Sequence, residues 1–456
     1  MRRWIWLLAA AGLGVIVWLS GATPTISLNP PVKAVGTATP VKVRISSKNG
    51  IRYFRASVEQ GGRSFTAMEM KTETARWKFW RMRQPLEQYE FVVGRKSISQ
   101  LQDGPARLVL EAKSDDWRGS SAAMTVDISV RSRPPRLTVD GAQHYINQGG
   151  SEIVVFTTDP DVSDAGVRVG QYSFRSWRLP GGPPGSRFCI FAFPYDLAPE
   201  AAPVVYARDE AGNERTAGFW FRVFPKKFRV RRMELSDDFL RKVIQNIAPH
   251  APQLSLTGDP VSDYLKINRE LRAANNRELA GVRWKTEESF LWTKPFRQLA
   301  NSQVEAAFAD HRLYFYRGQK IDEADHLGFD LAVTANSRVA AANDGKVVFA
   351  DYLGIYGNCV VIDHGYALQS IYGHLSSIGV KPGEMVRQGQ EIGRSGSTGL
   401  AGGDHLHFSM QVDGEQVNAT EWWDPHWIHD RILAKLPGGR LPVAGAPETA
   451  TPAGAP

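Results

Sequence analysis

Two short patterns constrain this chain more than anything else in it: His326-Leu-Gly-Phe-Asp330 and His405-Leu-His407. On a β-strand, residues i, i+2 and i+4 point to the same face. The two patterns therefore bring four side chains of metal-ligand type together from two strands. A zinc site in a hydrolase takes three nitrogen or oxygen ligands and leaves a fourth position open. That would leave one histidine over for chemistry. An H-x-H pair alone is a weak signal. Here the histidines cluster: of the 10 in the chain, only His144 and His250 lie outside its last third.

Further short motifs follow in a fixed order. They are Val339-Ala-Ala-Ala-Asn-Asp-Gly345, Tyr356-Gly-Asn358, Ile362-Asp-His-Gly365 and Tyr372-Gly-His374-Leu-Ser376. Val386-Arg-Gln-Gly389, Gly396-Ser-Thr-Gly399 and His405-Leu-His407-Phe408 complete the series. From about Pro295 to Pro425, roughly a third of the chain, this series resembles the catalytic domain of lysostaphin-type (LytM-like) zinc metallopeptidases, which cut peptide cross-links in bacterial peptidoglycan.

The resemblance implies roles for particular residues. His326, Asp330 and His407 match the family's metal ligands, and His405 and His374 match its catalytic histidines. No expected position is missing, although some relatives have lost ligands and act only as activators or adaptors. Ser409 stands where the family often has Glu. Asp404 stands where many relatives have Pro and reads as a turn residue. The implied chemistry is hydrolysis of an amide by a zinc-activated water. One of His405 and His374 takes a proton and the other stabilises the oxyanion. The sequence does not divide these roles. The H-E-x-x-H helix of other zinc peptidases is missing, so no glutamate base is expected.

At the N-terminus, Arg2-Arg3 precede an uncharged apolar run of about 17 residues, Trp4 to Ser20. A basic start before an apolar core marks an export signal. The run sits at the lower edge for spanning a bilayer and is long for a cleaved signal. Residues 1–22 are read as an uncleaved signal-anchor in the inner membrane, with a cleaved signal peptide as the other reading. Either way the bulk of the chain acts on the periplasmic side of the cell envelope. The Ala/Pro/Gly/Thr-rich tail, 437–456, reads as disordered.

A length of 456 residues suits about three domains. The net charge of +8 favours approach to an anionic wall or lipid surface, and equally fits a mildly basic surface with no specific partner. No long Lys/Arg run points to nucleic acid. Cys189 and Cys359 fall in different expected domains and read as two buried free thiols.

The fold class expected is mostly β and multidomain. Residues 23–133 and 134–227 read as two copies of one antiparallel unit, each with evenly spaced strands and a polar turn before its last strand. The pattern resembles immunoglobulin-like β-sandwiches, and such a fold names no function. Within the first, Arg76-Trp-Lys-Phe-Trp-Arg81 interleaves cations with aromatics and is read as an inward-packing strand, with an exposed face that stacks on sugars or sits at a membrane surface as the other reading. Residues 228–294 form a helical linker. One helix is expected over Glu234–Ile247 with Ser236 as N-cap, and a second over Tyr264–Asn275. The linker is read as a spacer, with covering of the active-site groove the alternative. Residues 295–436 form the LytM-like antiparallel β catalytic domain. There Glu421-Trp-Trp-Asp-Pro-His-Trp427 docks the C-terminal helix, and His426 and His429 are structural.

The function expected is that of a zinc endopeptidase acting on peptidoglycan. The alternatives are a catalytically silent wall-binding regulator that activates another hydrolase, and a zinc peptidase acting on an exported protein. A regulatory partner is left unspecified.

Overall fold

A computed structural model describes residues 21, 23–74 and 86–441. The N-terminal apolar run, the Arg76–Arg81 stretch and the tail beyond Leu441 lie outside the described residues. Among the described residues no helix is long and apolar enough to cross a membrane.

The chain is mostly β and divides into two compact units. The first holds the residues up to Arg136, with Asp159–Asp164 and Ala207–Arg215. Its five-stranded sheet runs Ala34–Val35, Ser121–Val130, Gly104–Ser114, Ile51–Gln60, Arg63–Lys71. A three-stranded sheet runs Thr25–Leu28, Thr39–Ser46, Leu86–Val93. The strand Thr39–Ser46 alternates buried and exposed residues throughout. Val41, Val43 and Ile45 thus meet Phe54, Val58, Leu108 and Leu110 in one core.

The second unit holds the remainder. One of its sheets runs Trp177–Arg178, Ser186–Ala192, Ser151–Thr158, Leu137–Val139 and buries Cys189. Its largest sheet has eight strands. Seven lie in the order Gln303–Ala306, Phe329–Ala332, Leu406–Val412, Leu368–Leu375, Asn358–Asp363, Gly345–Tyr352, Met385–Val386, and Glu415–Val417 pairs with Leu406–Val412. Every pairing in it is antiparallel. Cys359 is buried in this sheet, and both cysteines are free thiols.

The segment read as a spacer is not one. It begins with a strand, Val230–Glu234, that pairs in parallel with Asp310–Tyr316. A helix follows over Asp237–Ile247, where the Oγ of Ser236 accepts the Phe239 N–H at 3.1 Å. Asp259 caps Pro260–Lys266, which continues through a π-turn, Ile267–Leu271, into Arg272–Gly281. Val243, Ile247, Ile267, Leu271 and Leu279 share a core with Val348, Cys359, Val361 and Ile371 of the large sheet and with Ile355 in the turn between two of its strands. The apolar stripe at helical spacing, which the sequence did show, had to be covered by something, and the sheet covers it.

The C-terminal aromatics dock as their composition suggested. Trp422 is fully buried, its ring meets Trp292 and Phe296, and its indole N–H donates to Ser151 Oγ at 3.1 Å. The side chains of His426 and His429 are exposed, at 94% and 67%, so they pack nothing.

Candidate active site

Strand register builds the centre. Asp330 on Phe329–Ala332 lies directly opposite His407 on Leu406–Val412, and His407 lies opposite Gly373 on the next strand. His326 ends the strand Gln319–His326, just before Phe329–Ala332, opposite Asp310. Three atoms converge as a result. His326 Nε2 is 2.9 Å from Asp330 Oδ1 and 3.0 Å from His407 Nδ1, which is 3.2 Å from the same carboxylate oxygen. Among the described residues, these three side chains are the group of His, Cys, Asp or Glu able to hold a metal ion. Tetrahedral zinc with bonds of about 2.0–2.1 Å spaces its ligand atoms about 3.3 Å apart. The triangle of two imidazole nitrogens and one carboxylate oxygen is close to one face of such a tetrahedron, so the residues fit that metal.

Neighbouring groups set the orientation of each ring. The His326 Nδ1 faces the Ala307 carbonyl at 3.1 Å, which turns Nε2 inward. Gly328 is required here, because a Cβ on it would meet His407 Cε1 and Nε2 at 2.6 Å. Ser409 reaches back to the Leu327 carbonyl at 2.7 Å and ties the two motifs together. The second Asp330 oxygen accepts from Arg312 at 2.6 Å. Burial opposes ionisation of Asp330, but the facing histidines outweigh it and hold the carboxyl well below its usual range.

The other two histidines flank this triangle, with ring centroids 4.8 Å apart. His374 has its Nδ1 on the Thr398 carbonyl at 2.8 Å, and His405 has its Nδ1 on the Gly403 carbonyl at 2.9 Å. Each is therefore a ring with Nδ1 occupied. The Nε2 of His405 is buried with no hydrogen-bond partner and lies 3.4 Å from Asp330 Oδ1. His374 sits in left-handed backbone, φ 61°, beside a register shift in the Leu368–Leu375 strand. A bulge of this kind re-aims a side chain, and strained backbone is tolerated where the surroundings enforce it. Burial, then the charges of His405 and His407, push His374 well below the ordinary imidazole value. Burial also works against a charge on His405, but the Asp330 carboxylate overcomes it and leaves that ring raised.

These residues lie in a groove of about 550 Å³. One wall carries Arg231, Leu235, Phe239, Tyr264, Arg272 and Asn276 from the segment read as a spacer. Asn276 accepts from the Tyr356 hydroxyl at 2.9 Å, and the Tyr356 ring meets the His407 ring at 5.4 Å. Sequence reasoning held the groove covering as its second reading of this segment and missed Arg312, since nothing in its spacing ties it to the histidine motifs. Asp404 does not touch a histidine; its Oδ2 accepts the Asn336 N–H at 3.0 Å. His364 is structural, held between the Asp344 carbonyl and Ser370 Oγ.

The site is thus a β-sheet groove with a His/Asp centre and two flanking histidines. The model of peptidase family M23 matches residues 324–419, and the chain carries a domain of that family. Over 98 residues it is 45% identical to the peptidoglycan DD-endopeptidase ShyA of Vibrio cholerae, covering 22% of this chain and 23% of that protein. It is 40% identical over 93 residues to the DD-carboxypeptidase/endopeptidase Mpg of Neisseria meningitidis, covering 20% and 21%. It is also 36% identical over 110 residues to the murein hydrolase activator EnvC of Escherichia coli, covering 24% and 26%. The chain thus spans about a quarter or less of the length of these relatives. Among solved structures, the catalytic domain of lysostaphin from Staphylococcus simulans is 28% identical, with a TM-score of 0.24, covering 27% of this chain and 92% of that one.

Proposed function

We propose that this chain is a zinc-dependent endopeptidase that hydrolyses stem peptides or peptide cross-links of bacterial peptidoglycan, acting on the outer side of the cytoplasmic membrane. The observation that carries the reading is the triangle of His326 Nε2, Asp330 Oδ1 and His407 Nδ1 at the floor of an open groove, with the rings of His374 and His405 beside it. The names of the relatives that match this segment supply the substrate class. In this reading residues 23–133 and 134–227 are immunoglobulin-like modules, 228–294 is the groove wall, and 295–436 is the peptidase domain. Residues 1–22 anchor the chain to the membrane.

His326, Asp330 and His407 would hold the zinc, which when bound polarises a water and lowers its pKa toward neutrality. The carbonyls of Thr398 and Gly403 keep Nδ1 of His374 and His405 engaged. Each ring is then left one nitrogen, Nε2, with which to accept a proton or donate a hydrogen bond. Two such rings divide the work of amide hydrolysis: one takes the proton of the attacking water, and the other donates to the oxygen on which charge develops. Arg312 anchors the outer oxygen of Asp330 and so fixes the carboxylate.

The test is the full chain on isolated peptidoglycan, with added zinc or with chelator, reading released fragments by mass. Peptide cleavage that the chelator abolishes is the expected result. Stoichiometric zinc with no fragment released from any murein would sink the reading and favour a silent regulator, the role named for EnvC.

A further inference from the structure

The groove wall outside the family-matched segment carries a cation that, among the described residues, pairs with no carboxylate. Of the arginines lining the groove, Arg312 is paired to Asp330 at 2.6 Å, and Arg231 lies 4.0 Å from Asp310. Arg272 donates only to Asn268, at 2.7 and 3.2 Å to its side-chain oxygen and 3.2 Å to its carbonyl. Among the described residues it has no ion pair. Asn268 is buried in the π-turn and is itself held by Asp322 at 2.8 Å, and Arg269 takes the other oxygen of that carboxylate at 3.0 Å. The guanidinium is therefore aimed by a neutral amide rather than discharged by an acid.

Three of the acids that line the groove are already engaged. Glu234 accepts from the Gly318 N–H, Asp325 from the Tyr195 hydroxyl and His311, and Asp404 from the Asn336 N–H. Arg272 stands four residues, about one helical turn of 5.4 Å, before Asn276. Asn276 holds the Tyr356 hydroxyl, and Tyr356 abuts the ring of His407. A half-buried guanidinium lining the groove gains most from a planar anion, because its fork of donors matches a carboxylate.

We propose that Arg272 is a specificity determinant that binds a free carboxylate of the substrate peptide lying in the groove. This rests on the peptidase reading above. The carboxylate is either the peptide's C-terminal one or that of a side chain.

The experiment compares the wild-type full chain with Arg272→Gln and Arg272→Lys, all loaded with zinc. The probes are cross-linked stem peptides with carboxylates free, with only the C-terminal carboxylate amidated, or with only the side-chain carboxylate amidated. Losing a hydrogen-bonded charge pair lowers kcat/KM roughly ten- to hundredfold. Wild type should lose that factor on one amidated probe, which identifies the source. Arg272→Gln should lose it on the free peptide through KM and be indifferent to amidation, and Arg272→Lys should recover part. If Arg272→Gln responds to amidation as wild type does, or if wild type responds to neither probe, the proposal is overturned. Binding of the same probes to His405→Ala chains, with and without Arg272→Gln, separates the two readings. Should no chain hydrolyse any probe, amidation-sensitive binding lost with Arg272 sustains the proposal while hydrolysis fails, and its absence overturns both.

Discussion

Glu421 is a buried acid whose titration should be visible as stability. It sits 5% exposed in the turn after the large sheet. One oxygen accepts from Asn147 at 2.8 Å, and the other accepts from the Ser151 N–H at 2.8 Å and its hydroxyl at 3.2 Å. It presses against Gly150, where a Cβ would lie 2.1 Å from the carboxylate. Three donors favour the ionised form. Burial outweighs them, the charge of Glu152 adds to it, and the carboxyl is raised from 4.5 to about 7. Below pH 4.5 the group is protonated in both folded and unfolded chains. Between 4.5 and about 7 the unfolded chain ionises and the folded one does not, so stability is lost as pH rises through that window and is level above it. At about 1.4 kcal/mol per pH unit, this window is worth roughly 3 kcal/mol. Glu421→Gln mimics the neutral acid, and Asn147 can turn its amide to match. The variant should melt near wild type at pH 5 and higher than wild type at pH 8, with the gap widening by about 5 °C. The assay is thermal unfolding of both chains in chelator across that range. A gap that stays constant from pH 5 to 8 would refute the reasoning, because it would mean that the three donors cancel burial.

The other expectations concern the centre. His407→Ala and Asp330→Ala should each lose zinc and activity together, whereas His405→Ala should keep zinc by direct metal analysis and lose turnover; normal turnover in His405→Ala would remove it from the chemistry. Gly328→Ala should displace the His407 ring and weaken zinc binding in a chelator competition, and unchanged affinity would show that the ring can move without cost. Arg312→Leu strips Asp330 of its partner in a mostly enclosed pair and should destabilise the metal-free chain by about 3 kcal/mol; an unmoved urea midpoint would mean that the pair contributes nothing.

Local periodicity made part of this protein legible before any fold was known. The close spacing marked His405 with His407 and His326 with Asp330 as site pairs, although His326 ends one strand while Asp330 sits on the next, and His405 precedes the strand that carries His407. Ser236 and the apolar residues at helical spacing after it marked the helix that forms over Asp237–Ile247. What the tertiary structure alone decided is which distant segments meet. The register that sets Asp330 opposite His407 joins residues 77 apart. The helices read as a spacer became a groove wall, because their apolar stripe found its cover on the sheet that carries the centre. Arg312, Arg272, Asn276 and Glu421 carry no local signature, since an ordinary side chain gains its role from the partner that packing brings to it. Periodicity along the chain determines which face a residue occupies, but only the packing of the folded chain determines what that face meets.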